Sequence, residues 1–362
     1  MRLSDMTALS PHIVIIGAGL IGLSCADSLL SAGMEVTLLE ARSGPVQGAS
    51  FANSGMIHPS QSGGWAQAFP APDAGQSIRD FALKSRDLLE RRMDSLGLKA
   101  MRARPRGCYQ LFDTDMAARQ AQADYAARQI QANPVTDPVS TFSRPGLYFP
   151  DDRSGDARAY GRALAESVQE RGGLLITDAT EVRLHRHGGS RVGVRLGTHR
   201  FKADHVIIAC GAQSPALLAQ LGLTLPVVPI RGWAADFARP DKIDLPRIPV
   251  MDVQTRSAFT PFRNRIRLSG TLGEASAAPL LARWADILPV SMQTLGAPLQ
   301  IWSGLRPVSQ TGAPIIGRVA DGLWVNAGHA HMGWTLCAAS GRLMSDLIAG
   351  KAVENSFDYT AT

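Results

Sequence analysis

The sequence predicts an α/β fold, α+β over the chain as a whole, in which a parallel-sheet unit is interleaved with an antiparallel-sheet unit. Three observations predict it. Near the N-terminus the apolar run Ile13-Val14-Ile15-Ile16 meets a glycine-rich turn and then a helical pattern. Across residues 226–269 short strand-like segments are separated by turn signals. Near the C-terminus a second strand, glycine-rich loop and helix repeat the first arrangement. The 362 residues suit about two domains at roughly 150 residues each.

Composition sets several classes aside. With 45% hydrophobic and 19% charged residues, the balance is that of a folded soluble chain. The net charge of +6 raises the question of nucleic acid, but the basic residues are diffuse, and the densest cluster (Arg102, Arg104, Arg106) is broken by Ala and Pro. A nucleic-acid footprint concentrates charge on one face or tail, so no nucleic-acid partner is expected. Cys25, Cys108, Cys210 and Cys337 are far apart and lack metal-ligand spacing, so neither a metal site nor a disulfide framework is expected. The expected compartment is reducing and cytoplasmic. The apolar stretch at residues 13–30 contains Gly17, Gly19, Gly22, Ser24 and Asp27, which suits a strand–turn–helix better than a membrane span.

The first strand, His12–Ile16, leads into Gly17-Ala18-Gly19-Leu20-Ile21-Gly22, a G-x-G-x-x-G. A helix follows through Leu23, Ala26, Leu29 and Leu30 and stops at Gly33, and a strand from Val36 to Leu39 ends in Glu40. Strand, glycine turn, helix and an acid about twenty residues on form the context of a Rossmann-like dinucleotide cradle. Gly17 allows the tight turn, Gly19 lets the backbone approach a pyrophosphate, and Gly22 lets helix and strand pack. The helix N-terminus, at Leu20 and Ile21, offers N–H groups to phosphate. Glu40 can accept ribose hydroxyls. After Ala41 and Arg42 come Ala49, Ser50, Asn53, Ser54, Gly55 and Met56, small and hydroxylated residues that suit a backbone lying against a flavin.

The order G-x-G-x-x-G, Glu-Ala-Arg, then Ala-Ser-Phe-Ala-Asn-Ser-Gly resembles the D-amino-acid oxidase and glycine oxidase superfamily of FAD enzymes, and Ser-Phe-Ala-Asn-Ser-Gly resembles its D-amino-acid dehydrogenase branch. The resemblance implies FAD as cofactor and covers residues 13–349. It gives Val182 a backbone contact with the adenine. It also makes Asp204-His205-Val206-Ile207-Ile208-Ala209-Cys210-Gly211 a second FAD fingerprint, with Cys210 and Gly211 near the cofactor.

The middle of the chain reads in order as an amphipathic helix over 77–97, a strand over 108–112 and an exposed helix over 117–131. A Pro-rich connection follows (Pro134, Pro138, Pro145, Pro150), then a helix capped by Asp156 and running to Arg171. Strands over 174–177, 181–186 and 191–196 come next, two of them joined by a turn at Gly188-Gly189. After the strand ending near Cys210, Ser214-Pro215 reads as a helix cap and first turn. The antiparallel part comprises strands over 227–230, 232–237, 257–262 and 265–269. Expected FAD-domain segments are 8–85, 150–226 and 303–352, with a substrate domain at 86–149 and 227–302.

At the C-terminal end, Trp302-Ser303-Gly304-Leu305-Arg306-Pro307 precedes a strand, Gly328-His329-Ala330-His331-Met332-Gly333-Trp334-Thr335 and a helix. An Arg before Pro on an extended strand can be held rigidly, and its planar fork suits a carboxylate. The resemblance gives Arg306 that role toward the substrate. It also places the loop of Gly328, His329, His331, Met332, Gly333, Trp334 and Thr335 against the flavin. A helix starting there aims its positive dipole end at a flavin edge that becomes anionic on reduction. His331 stands where glycine oxidase has a second Arg, a departure that leaves room for a D-amino acid larger than glycine. Trp302, Tyr109 and Trp233 are candidate walls. The expected reaction is oxidation of a D-amino acid to an imino acid by hydride transfer from Cα to flavin N5, then hydrolysis to a 2-oxo acid and ammonia. Arg306, His331 and Trp302 are the expected substrate contacts. A secondary amine (sarcosine, proline or opine type) is the alternative substrate. The electron acceptor is left open among oxygen, a quinone and a partner protein, with peripheral contact at the inner membrane as a further expectation for a quinone.

Overall fold

The computed structural model describes residues 10–51, 53–62, 74–102, 105–135, 142, 144–187, 191–240, 245–270, 273–288 and 292–358. Ala52, Pro138 and the Gly188-Gly189 turn lie outside these residues. Among the described residues, the first strand (His12–Ile16) sits inside a six-stranded sheet. Its order is Ile315–Ala320, Leu323–Ala327, His205–Ile208, His12–Ile16, Glu35–Leu39, Leu174–Ile176. Neighbouring strands are parallel except for the antiparallel edge pair Ile315–Ala320 and Leu323–Ala327.

Alternation along these strands builds two cores. Ile13, Ile15, Val36, Leu38 and Ile207 face helices Leu20–Ser31, Ala74–Ser95, Ala157–Glu170 and Gly333–Ile348, meeting Leu23, Leu29, Leu89, Leu164, Leu336 and Met344. Val14, Ile16, Leu39, Val206 and Ile208 face the other way, onto Leu184, Val192 and Val194 of a small antiparallel sheet. The sheet is therefore buried on both faces, which is why its strands read as unbroken apolar runs. Asp156 caps helix Ala157–Glu170 as expected, accepting from the N–H groups of Arg158 and Ala159, both at 3.1 Å.

The second unit is an eight-stranded sheet in the order Gln300–Ser309, Val227–Ala238, Arg265–Gly270, Ser257–Pro261, Val250–Asp252, Cys108–Leu111, Gly146–Phe149, Asn133–Pro134. One pair in it, Val250–Asp252 with Cys108–Leu111, is parallel. Helix Ala278–Ile287 packs on it through Leu280, Trp284 and Ile287. Three polar staples join the units. Arg267 donates to the Asn53 carbonyl (3.0 Å), Thr260 donates to the Ser54 carbonyl (2.6 Å), and Arg265 pairs with Asp156 (2.6 Å). Arg267 is itself fixed by a two-point ion pair with Asp236 (2.6 and 2.7 Å).

Four readings change. Residues 227–230 and 232–237 form a single twelve-residue strand, Val227–Ala238, because Gly304 opposite Gly232 continues the ladder through the expected break. The Pro-rich connection contributes two strands to the eight-stranded sheet rather than only crossing between units. The cap position of helix Ser214–Leu218 falls on Gln213, with no side-chain hydrogen bond, so Ser214 is its first residue. The expected boundaries at 85/86 and 302/303 fall inside helix Ala74–Ser95 and strand Gln300–Ser309. Since Ile78, Ala82, Leu89 and Met93 all pack into the helix-side core, we propose that the whole of this helix goes with the parallel-sheet unit. Among the described residues, no helix is long and apolar enough to cross a membrane, and no group of three His, Cys, Asp or Glu is placed to hold a metal ion.

Candidate active site

A cavity of about 1760 Å³ lies between the two sheets. At one end is the glycine turn. Gly17 has φ 106°, and a Cβ there would meet the Ala209 carbonyl oxygen at 2.7 Å. Gly19, by contrast, faces open space, with the Ser50 hydroxyl its nearest neighbour at 3.4 Å. Leu20 N–H donates to that hydroxyl (3.2 Å), so Ser50 holds the helix N-terminus in place. The Glu40 carboxylate accepts from Ala18 N–H (2.8 Å) and Arg42 N–H (3.0 Å), tying the turn to the loop after the second strand.

The sequence-predicted residues Gly17, Gly19, Leu20, Ile21, Glu40, Ala41, Arg42, Ala49, Ser50, Asn53, Ser54 and Met56 line this end, together with Val182, Cys210 and Gly211. His329, His331, Gly333 and Trp334 line its far wall. Five others stand behind the wall. Gly22 is a packing residue, since a Cβ there would lie 1.9 Å from the Gly17 carbonyl oxygen. Gly55 is pressed against Phe262 and Gly328 against Ser309. Met332 is buried in the helix-side core, and the Thr335 hydroxyl is spent accepting His58 N–H at 3.1 Å.

The other end is made by side chains. Trp302, Gly304 and Arg306 alternate on one face of strand Gln300–Ser309, with Gly232 directly opposite Gly304. A Cβ on Gly304 would lie 2.1 Å from the Trp302 ring, and a Cβ on Gly232 would lie 2.0 Å from the Arg306 guanidinium. The two facing glycines thus clear a floor over which the indole and the guanidinium lie flat. Trp302 also packs on Phe51 at 5.5 Å. Arg306 donates to the Gly270 carbonyl (3.2 Å), and burial pushes its guanidinium down to about 10. The neighbouring His loop is stitched to the same strand: Val308 bridges His329, and Ala330, at φ 50°, donates to the Pro307 carbonyl (2.9 Å).

His331 lies 3.4 Å from the Gln61 carbonyl through Nε2, and its ring is 5.4 Å from His58. Burial pushes His331 well below the usual imidazole range, and His58, Arg306 and Arg256 push it further. Burial alone takes His58 to about 4 and His329 to about 3. His329 turns away from the cavity centre to the Ser340 hydroxyl (2.9 Å). Below His58, the Ser60 hydroxyl donates to buried Asp152 (2.6 Å), whose carboxyl burial raises to about 7. Gln61 donates to Tyr125 (3.3 Å), which donates to Gln110 (3.0 Å). Trp233 lines the cavity and donates to the Glu274 carbonyl (2.9 Å), whereas Tyr109 stacks on Tyr148 away from it. Sequence reading missed His58, Ser60, Gln61, Gly232 and Arg256. His58-Pro59, directly after the Ser-Gly-Met-Ile run, was the available signal for the first of these.

The residues present fit FAD. The cradle leaves room at Gly19 for a close backbone approach, and the N-terminus of helix Gly333–Ile348 has no side-chain cap. Among the described residues, buried polar atoms of the lining with no hydrogen-bond partner include His58 Nδ1, Ser269 Oγ, Asn326 Oδ1, His329 Nδ1 and Trp334 Nε1. Such atoms are costly unless a ligand or water satisfies them.

Comparison with known proteins agrees with this class. The DAO model, described as FAD dependent oxidoreductase, matches residues 12–347. The chain belongs to that family and is an FAD-dependent oxidoreductase. It is 32% identical to a D-amino acid dehydrogenase of Cereibacter sphaeroides, covering 95% of this chain and 93% of that one. It is 28% identical to a D-amino acid dehydrogenase of Vibrio vulnificus, covering 94% and 97%. The fold is similar to glycine oxidase from Geobacillus kaustophilus (TM-score 0.80, 24% identity, 96% and 97% covered). It is also similar to iminodiacetate oxidase from Chelativorans sp. BNC1 (TM-score 0.81, 21% identity, 96% and 99% covered).

Proposed function

We propose that this chain oxidises D-amino acids at Cα, yielding the imino acid that water converts to a 2-oxo acid and ammonia. The observation that carries the reading is Arg306, whose guanidinium is laid flat in the cavity across Gly232. Similarity to curated D-amino acid dehydrogenases over nearly the whole chain supports it.

FAD, when bound, supplies the two-electron acceptor for the hydride leaving Cα. The chain's own residues bind and orient. Arg306 holds the substrate carboxylate through its planar fork. Trp302 walls the same floor and excludes water. His58 and His331, kept neutral by burial, add no positive charge beside Arg306 and can accept a hydrogen bond from the substrate amine. The uncapped N–H groups at the start of helix Gly333–Ile348 face the cofactor side, where negative charge develops. Catalysis rests on position and electrostatics, with no dedicated nucleophile.

The test is anaerobic bleaching of the bound flavin by a panel of D-amino acids, glycine, sarcosine and both prolines, followed by admission of air. Bleaching by D-amino acids is expected. Bleaching by the secondary amines alone replaces the reading with an amine oxidation, and no bleaching at all removes it. Rapid recolouring in air identifies oxygen as acceptor, and slow recolouring identifies another.

A further inference from the structure

Asn53 and Ser54 line the cavity, and the polar atoms of residues 53–55 are sorted by kind. Their acceptor oxygens are all engaged. The Asn53 carbonyl accepts from Arg267 (3.0 Å), the Ser54 carbonyl from Thr260 (2.6 Å) and the Gly55 carbonyl from Gly155 N–H (2.8 Å). The Asn53 side-chain oxygen accepts from Gly55 N–H (2.9 Å), and the Ser54 hydroxyl from Met56 N–H (3.4 Å). Among the described residues, the N–H groups of Asn53 and Ser54 have no acceptor. The stretch therefore has its lone pairs occupied and its donors open.

Two of the three carbonyls are held from the antiparallel unit. Arg267 and Thr260 stand opposite each other on neighbouring strands, and Thr260 is fully buried. Arg267 is locked by its two-point pair with Asp236, the residue opposite it on the other neighbouring strand. Asp236 lies four residues past Gly232 on the same strand and the same face, so the strand beneath Arg306 also fixes this clamp. Phe262 presses on the third residue: its ring would be 2.7 Å from a Cβ on Gly55, whose φ of 73° suits glycine. A carbonyl released from its clamp is free to turn its negative end into the cavity. Negative charge that arrives there with a hydride is stabilised by donors and opposed by carbonyl dipoles.

We propose that Arg267 and Thr260 are positioning residues for the cofactor: by holding the Asn53 and Ser54 carbonyls away from the flavin, they raise its tendency to accept a hydride. This rests on the reading of residues 49–56 as the segment that lies against the flavin, and not on which amino acid is oxidised. The antiparallel sheet thus supplies the substrate anchor and also tunes the acceptor, through one shared strand.

The test is the reduction potential of the flavin in the holoenzyme, measured anaerobically against a reference dye with no amino acid present. Thr260→Val keeps the shape of the buried side chain and removes the hydroxyl. It is expected to lower the potential by about tenfold in the reduction equilibrium, about 30 mV for a two-electron couple. Thr260→Ser keeps the hydroxyl and is expected to hold the wild-type potential. Arg267→Lys keeps a charge opposite Asp236 but lacks the fork that reaches Asn53 as well, so its potential is expected to fall by a similar factor. A wild-type potential in Thr260→Val, or an equal fall in Thr260→Ser, overturns the proposal. Loss of flavin from Thr260→Val overturns it too, because the clamp then serves retention of the cofactor and not its potential. A wild-type potential in Arg267→Lys removes Arg267 from the assignment, and should that variant not fold, the two Thr260 variants decide. No substrate enters the measurement, so a chain found to oxidise some other amine leaves this result standing.

Discussion

At the cradle end of the cavity the working surface is main chain: the turn at Gly17, the open backbone at Gly19 and the N-terminus that Ser50 holds. At the Arg306 end it is side chain: a guanidinium and an indole laid over two facing glycines, with imidazoles beside them. Glycine serves both ends for opposite reasons. In the cradle a missing Cβ lets the backbone touch something else. On the antiparallel floor it lets other side chains lie down. Backbone recognition tolerates side-chain drift and is destroyed by a methyl group in the wrong place. Side-chain recognition depends on a few atoms and degrades one residue at a time.

Substitutions can break that contrast. The largest effect is expected from Gly22→Val, which drives a side chain into the Gly17 carbonyl at 1.9 Å. Backbone cannot yield as a flexible side chain does, so a loss of at least about 3 kcal/mol is expected, with little flavin retained. Flavin content after purification and a melting curve check it, and normal occupancy would contradict the packing role. Next comes Arg306→Ala. Losing a charged anchor is expected to cost about 2–5 kcal/mol in kcat/KM, with flavin occupancy and Tm near wild type. Unchanged kinetics would remove the clamp.

Gly232→Ala sharpens the comparison, because it leaves Arg306 present but displaces it. We expect kcat/KM to fall by about tenfold, mainly through KM, with the flavin spectrum intact. An unaltered KM would mean that the guanidinium finds an equivalent pose.

Smaller effects come from protonation. Buried His58, His329 and His331 are neutral in the fold, whereas an unfolded chain protonates them below about 6.5. The unfolded state therefore binds more protons as pH drops from there toward about 4, and stability falls. Asp152, raised to about 7, opposes this: the fold keeps its proton between about 4 and 7, so acid favours it. The imidazoles outnumber the carboxyl, so Tm falls with acid, each group weighing on the order of 1 kcal/mol per pH unit. His329→Asn should make that acid limb shallower and Asp152→Asn should make it steeper. Identical slopes in all three proteins would show that these groups do not set the limb. The smallest effect is expected from Glu40→Gln, which weakens two charge-assisted bonds to Ala18 and Arg42 by about 1 kcal/mol. A flavin-release titration against denaturant measures it.

The same contrast decides what the sequence discloses. The cradle is legible because local rules write it: an apolar run, three glycines at fixed spacing and a carboxylate at strand end; the Asp156 cap, which accepts from Ala159 N–H three residues on, is local in the same way. Arg306 and Trp302 are legible through the strand motif that carries them. The partners that make them work come from far along the chain. Gly232 faces Gly304 across a strand pair, and His58 arrives on a short segment held by Thr335. Pairing register is not written in either strand alone. The same blindness split strand Val227–Ala238 in two and hid the strands around Pro134 and Pro145. Gly22 packs as its place in the motif implies, whereas Gly55, Gly328, Met332 and Thr335 belong to the right motifs but face inward, which motif spacing does not report.

The alternation of Trp302, Gly304 and Arg306 along one strand carries an evolutionary consequence. Because successive residues point to opposite faces, the floor obeys a parity rule. Exchanging residues at 302, 304 or 306 retunes the site. Inserting or deleting one residue between them would turn the guanidinium to the other side of the sheet. Lineages of this enzyme should therefore explore new substrates by substitution within the strand and by length change only beyond its ends.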